Sequence, residues 1–361
     1  MKFYVNLRYL IVPISSLATI LGILFGGIYA WTGVFLFSIY TIIDTATKDI
    51  HLRAEKDEAG NSYGIKLFQY LVMYVMLPVF IAIQAAVAWR LYQYTSGVQL
   101  EALYFGGIAY QNGISGLNLV GAVISAALWA GLGIIYGHEL SHNKKEGFLV
   151  SRLIMALSGA SHFTYAHVYN HHLDLGHEDD PATARKGENF YFFLIRCVTM
   201  SLVSSWKIEK EILKRKNLSI YNFKNRMLHY LFIEVFLLIS FFWIAGINGL
   251  IFILFHSAIS IILLELVDYI QHYGLSRNIS NNGKYESYNE QHSWNSRHTS
   301  ANWSTFNLGL HAEHHQTASK HYPLLSQKQK IMEMPFNYPI MIMMALVPPI
   351  WFKVMDNKLD Q

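Results

Sequence analysis

The stretch from Leu117 to His142, LNLVGAVISAALWAGLGIIYGHELSH, decides the reading of this chain. Leu117 to Gly137 carries no charge, and a bilayer core about 30 Å thick needs roughly 20 mostly apolar residues per helix. The run ends in His138-Glu139-Leu140-Ser141-His142. On a helix that i, i+4 spacing places both imidazoles on one face, close enough to share a metal ion.

Five further apolar runs flank it: Leu10 to Tyr29, Trp31 to Ala46, Leu67 to Trp89, Leu228 to Ala245 and Leu250 to Ile270. The first two are separated near Gly33 and the last two around Gly246, Asn248 and Gly249, so each pair is expected to form a helical hairpin. The expected fold is all-α, a single domain over 1–361 built as an integral membrane bundle of six transmembrane helices. Tyr338 to Phe352 is shorter and contains Pro348 and Pro349, which fits an interfacial or bundle-packed segment. The first run lacks a small-residue cleavage site and reads as a retained helix rather than a signal peptide. No internal repeat or low-complexity segment is present.

Composition agrees. Of 361 residues 53% are hydrophobic, 15% aromatic and only 14% charged, with mean hydropathy +0.24, whereas soluble domains carry about 25% charged residues. The single cysteine, Cys197, excludes disulfide frameworks, zinc ribbons, iron–sulfur clusters and a fused rubredoxin, because each needs at least two. Any metal must then be held by His, Asp or Glu. The net charge of +4 is no nucleic-acid signal, since the basic residues are interleaved with apolar runs and read as membrane-flanking charge.

Those basic residues also give an orientation. The segment 143–227, with Lys144, Lys145, Lys207, Lys210, Lys214, Arg215 and Lys216, is rich in them, as are the N-terminus (Lys2, Arg8) and the loop with Lys48, Arg53, Lys56 and Lys66. Leu91 to Gly116 has none, and Arg90 is the exception at that outer face. Cytoplasmic loops retain Lys and Arg, so both termini and the segments 143–227 and 271–337 are expected in the cytoplasm.

Nine of the 17 histidines fall into four groups on that same face. They are His138 and His142; His167, His171 and His172; His272; and His311, His314 and His315. His167 and His171 repeat the i, i+4 pair, and His172 points roughly 100° away, towards a second ion. Nine imidazoles are too many for one transition metal and fit two. For His51, His162, His177, His229, His256, His292, His298 and His321 the expectation is capping, hydrogen bonding or interface roles, with His162, His177, His292 and His298 also near enough in sequence to orient ligands. Acids beside the groups, Glu139, Asp180, Glu188, Asp268 and Glu313, are natural acceptors for the second N–H of a ligating imidazole. Asp268 and Glu265 stand apart, because an ionisable group ending an apolar run needs a partner. Imidazole-rich sites with redox-active metal suit O₂ activation better than hydrolysis. Tyr70, Tyr74, Trp129 and Tyr136 could line a path for an apolar substrate arriving from the bilayer.

The four groups, together with Asp180-Pro-Ala-Thr-Ala-Arg-Lys-Gly-Glu-Asn-Phe190, Gln271-His-Tyr-Gly-Leu275, His292-Ser-Trp-Asn-Ser296 and Pro348-Pro-Ile-Trp-Phe-Lys-Val-Met-Asp356, resemble the membrane di-iron alkane 1-monooxygenases and their xylene monooxygenase relatives. The resemblance implies two Fe ions held by the nine grouped histidines, O₂ as co-substrate, electrons from rubredoxin or ferredoxin with its reductase, and a bacterial inner-membrane location. It also implies hydroxylation of a terminal C–H bond of a lipophilic hydrocarbon, with no catalytic residue beyond the ligands. Gln271 stands where alkane hydroxylases usually have Glu, as in the xylene-oxidising branch, and Leu308-Gly309-Leu310-His311 departs from their usual Leu-Gln-Arg-His. Methyl-aromatic hydroxylation is therefore the nearest alternative. A membrane desaturase or fatty-acid decarboxylase shares the boxes, a metal transporter would carry its ligands along the spans, and His-Glu-x-x-His alone is also the signature of a zinc protease.

Overall fold

An apolar segment in a bilayer must satisfy its own backbone, and these runs do so as helices. The computed structural model of the chain describes residues 4–47, 56, 64–97, 103–105, 108–110, 116–143, 145–326 and 331–360. Lys2, Lys48, His51, Arg53 and Lys144 lie outside the described residues.

The principal helices are α1 (Ile11–Phe25), α2 (Thr32–Ala46), α3 (Lys66–Tyr74), α4 (Met76–Ser96), α5 (Gly116–Ser141), α6 (Lys145–Leu157), α7 (Phe190–Lys214), α8 (Arg226–His272), α9 (Thr299–Ser304), α10 (His311–Gln316), α11 (Tyr338–Ala345) and α12 (Pro348–Leu359). Two short strand pairs, Leu103–Phe105 with Ile108–Tyr110 and Trp294–Asn295 with Met332–Glu333, qualify the all-α expectation. Among the described residues five helical stretches are long and apolar enough to cross a membrane: Arg8–Phe25, Gly27–Ala46, Lys66–Ser96, Gly116–Ser141 and Arg226–His272.

Two boundaries differ from expectation for backbone reasons. The run expected at 67–89 becomes α3 and α4, because Pro78 has no N–H to offer the Tyr74 carbonyl, and α4 continues to Ser96. The two runs expected at 228–245 and 250–270 lie in one helical stretch, broken by Ala245 (φ −144°, ψ 20°) and Gly246 (φ 55°, ψ −136°). Phe241 and Phe252, which a straight helix would hold about 16 Å apart, have ring centroids 5.0 Å apart, so the chain folds back there. A Cβ on Gly249 would lie 1.8 Å from the Phe241 carbonyl oxygen, and only glycine fits that approach.

The outer faces are apolar: Phe232, Phe236, Ile247 and Ile251 are exposed, and Trp243 is 85% exposed. Arg90, the basic exception at the outer face, is buried and donates to the carbonyls of Ile23 (2.7 Å) and Leu24 at the end of α1, and to Gln93. It serves a helix C-terminus.

Two buried clusters fix the histidine-bearing ends. One packs α1, α4, α5 and α8 around Phe80, Trp129, Tyr136 and Phe252. The other seats α11 and α12 against α7 and the end of α8 through Tyr269, Tyr273, Trp294, Trp351 and Met355, so Tyr338 to Phe352 is packed on the bundle as expected. Asp44, buried on α2, accepts hydrogen bonds from Ser300 Oγ (2.6 Å) and the Ala301 backbone N–H (2.8 Å) and so ties a bundle helix to the start of α9. Replacing it by Ala takes the acceptor from the Ala301 N–H and leaves Ser300 Oγ with the longer Thr47 Oγ1 contact (3.3 Å), and thermal or denaturant unfolding of the purified protein should report a loss of about 1–3 kcal/mol.

Candidate metal centre

Four segments converge on one region. His138 lies in the last turn of α5, where Ser141 Oγ donates to its carbonyl (2.6 Å), and His142 follows just past the helix end. His272 ends α8. Behind it Gly274, at φ +72°, turns the chain and donates to the Ala184 carbonyl (2.8 Å). Trp294 Nε1 bonds the Tyr273 carbonyl (2.9 Å), and Tyr273 bonds Asp356 (2.8 Å). Asn295 Oδ1 accepts from the Ala312 N–H (3.0 Å), fixing the first turn of α10 and with it His311, His314 and His315.

The second group is held differently from expectation. Phe163–Ala166 is α-helical, but His167–His171 is a π turn. With i→i+5 bonding, His167 aligns with His172 rather than with His171. The nine histidines accordingly divide into His138, His142, His167, His172 and His314, and into His171, His272, His311 and His315, with the ligand atoms of each set within 4.8 Å of one another. The i, i+4 pair His167 and His171 is thus split between the sets, whereas His138 with His142 and His311 with His315 each stay together.

The donor set fits a metal. Nε2 atoms approach at 3.3 Å (His142 to His167), 3.0 Å (His167 to His172), 3.0 Å (His272 to His311) and 3.0 Å (His311 to His315). Metal–nitrogen bonds of about 2.1 Å at right angles put neighbouring donors ~3.0 Å apart. Burial, and then the neighbouring imidazoles, push His167, His172, His311, His314 and His315 well below the ordinary imidazole pKa. Burial together with His171 lowers His142 to about 3. Neutral imidazole is the ligating form, and the buried His171 Nε2 and His314 Nε2 have no hydrogen-bond partner among the described residues.

Of the acids expected beside the histidine groups, Asp180 meets an imidazole. Its Oδ2 lies 2.9 Å from His171 Nδ1, and it also accepts from Thr183 Oγ1 (2.6 Å) and the Ala182 N–H (3.2 Å). Burial works against a charge on His171, but Asp180 outweighs it and holds that pKa above the ordinary value. Glu188 instead pairs with Arg196 at 2.7 Å, and Glu313 with Lys320 and the Ser326 N–H, so neither orients an imidazole. Glu139 is buried and stands outside both histidine sets. Asp268 and Glu265 do find company, around a small pocket bounded also by His167, His171, Asp180 and Cys197. His177 stacks on Tyr285 at 3.7 Å, and His292 lies 3.3 Å from Glu286. Two residues escaped the sequence reading: Ser293 Oγ is 3.4 Å from His272 Nδ1 and is itself bonded by Tyr288 (3.0 Å). Asp180→Asn is expected to weaken metal binding about 10–100-fold, measured by chelator competition.

An apolar cavity touches both sets, through His138 and His311. Its walls are apolar, from Phe37, Leu132, Ile135, Leu263, Leu264 and Ile342, and its other polar contributors are Asp268 and Gln271. The aromatic residues expected along such a path lie elsewhere. Tyr70 stacks on His321 (4.8 Å), the Tyr74 hydroxyl sits beside Gly147, Trp129 bonds the Gly33 carbonyl (2.9 Å) and Tyr136 packs edge-on against Phe306 (4.5 Å).

The sequence profile of the fatty acid desaturase family matches residues 115–341, a stretch that contains all nine grouped histidines. The chain belongs to the fatty acid desaturase family. Among family members similar to it are alkane 1-monooxygenase 1 of Pseudomonas aeruginosa, 32% identical over 67% of this chain and 64% of the relative, and alkane 1-monooxygenase 2 of Alcanivorax borkumensis, 31% identical over 71% and 68%. The match thus spans a little under two thirds of the Pseudomonas aeruginosa protein. The xylene/toluene monooxygenase hydroxylase component of Pseudomonas putida is 25% identical over 96% of this desaturase-family chain and 87% of its own length.

Proposed function

We propose that this chain is an integral membrane di-iron monooxygenase that converts an n-alkane to its 1-alkanol with O₂ and electrons from a rubredoxin or ferredoxin. The observation that carries the reading is the apolar cavity reaching one histidine of each set, because it would deliver a hydrocarbon to two metals at once. His138, His142, His167, His172 and His314 would hold one iron, and His171, His272, His311 and His315 the other. The irons, when bound, supply the reducing equivalents and Lewis acidity that O₂ activation requires. The chain's own part is positional. Phe37, Leu132, Ile135 and Leu263 exclude water and align the substrate, Asp180 fixes the ring of His171, and Ser293 that of His272.

The bundle is read as six spans, since α8 folds back at Ala245 and Gly246, in a bacterial inner membrane with the metal sites cytoplasmic, following the Lys and Arg distribution. Lys207, Lys210 and Lys214 are exposed along α7 and form the docking face for an acidic electron carrier. Reversing all three charges to Glu should slow reduction by the carrier about tenfold at low salt and flatten its salt dependence, as read by stopped-flow kinetics. Unchanged kinetics would remove that face from the account.

Incubating the purified protein with octane, xylene, O₂ and a reducing system tests the reaction itself, with 1-octanol as the expected product. A benzylic alcohol would instead establish the methyl-aromatic reading, which the xylene/toluene relative's match over 96% of the chain favours. An alkene would indicate a desaturase, and no oxidised product would overturn the proposal.

A further inference from the structure

Besides its histidines the apolar cavity has two polar side chains in its wall, Asp268 and Gln271, and the hydroxylation leaves the amide of the second unused. Gln271, fully buried near the end of α8, contributes to the cavity wall. Its Nε2 donates to Tyr338 Oη (2.7 Å) and, at the limit of hydrogen bonding, to the Leu308 carbonyl (3.5 Å). A carbonyl only accepts, so Leu308 fixes which end of the amide faces it. That leaves Gln271 Oε1 as a buried acceptor with no partner among the described residues. Such an acceptor is costly to leave bare, and an alkane offers it no donor. A primary alcohol offers one.

The acceptor is also well placed. Gln271 precedes His272 of one histidine set, and the same cavity is bounded by His311 of that set and His138 of the other. A hydroxyl formed on a terminal carbon between the sets would arise beside this wall, with the alkyl chain left among Phe37, Leu132 and Leu263. We infer that Gln271 Oε1 accepts the hydroxyl hydrogen of the product alcohol, so that the cavity holds a 1-alkanol more tightly than the alkane it came from and releases it slowly. This rests on the hydroxylase reading.

The test compares the iron-loaded full-length protein with its Gln271→Met, Gln271→Glu and Asp268→Asn variants. Two readouts are taken: the ratio of the 1-octanol inhibition constant to the octane KM during turnover, and calorimetric binding of 1-octanol to the oxidised protein without reductant. Gln271→Met should weaken 1-octanol about tenfold in both, the loss of one hydrogen bond. Gln271→Glu, which keeps an acceptor oxygen, should restore most of it. The proposal is overturned if Gln271→Met leaves 1-octanol binding unchanged, or if Asp268→Asn causes the loss in its place. Should Gln271→Met fail to fold, Gln271→Leu, which also lacks the acceptor oxygen, decides the matter, with weaker 1-octanol binding expected and unchanged binding contradicting the proposal. In either contradicting case a wild type that still makes 1-octanol leaves the hydroxylase reading standing. A wild type that makes none removes both.

Discussion

His272→Ala is expected to abolish hydroxylation, with turnover falling by more than about 100-fold, and to lower bound iron. His272 is completely buried, and its Nε2 lies 3.0 Å from that of His311. Removing it takes one of the four imidazoles from the smaller set and leaves that site with three donors. Even losing an outer partner of a ligand costs about 10–100-fold, and losing the ligand should cost more. The end of α8 should survive the change, because Tyr273 and Trp294 hold it independently. Metal analysis and turnover on one preparation, with helix content from circular dichroism, separate ligand loss from unfolding. Full iron and turnover in the variant would remove His272 from the ligand set.

Ile135→Trp should cut octane hydroxylation about 100-fold while leaving iron content intact. Ile135 lies one turn before His138 and lines the cavity, so an indole there occupies space that the hydrocarbon needs. Overpacking of a filled wall is resisted strongly, whereas one methylene more or less in an apolar pocket changes discrimination only about 10–200-fold. A shorter alkane should therefore suffer less than octane, and product yields across pentane to decane would show the gradient. Equal losses at every length, or none, would mean that substrate reaches the metals by another route.

The helices were legible because each apolar run exceeds what an irregular segment could bury, and the hairpin tip at Gly246 was legible because glycine alone takes its positive φ without strain. The nine histidines were legible from spacing and number. Their division was not: it depends on the π turn at His167–His171, which helical periodicity does not reveal and which moves His171 to the opposite set from His167. Among the acids, Asp180 does lie against an imidazole, that of His171, whereas Glu188 and Glu313 satisfy local cations, Arg196 and Lys320, that compete for any carboxylate near a histidine. Ser293 and Tyr288 carry neither charge nor period, so only tertiary packing shows their reach to His272. The cavity, assembled from α2, α5, α8 and α11, has no sequence signature either.

The central claim, two irons held by imidazoles drawn from four segments, is tested most directly by elemental analysis of the purified, detergent-solubilised protein. The account predicts two irons per chain. One zinc per chain and no iron would contradict it and return His138-Glu-Leu-Ser-His142 to its hydrolytic meaning.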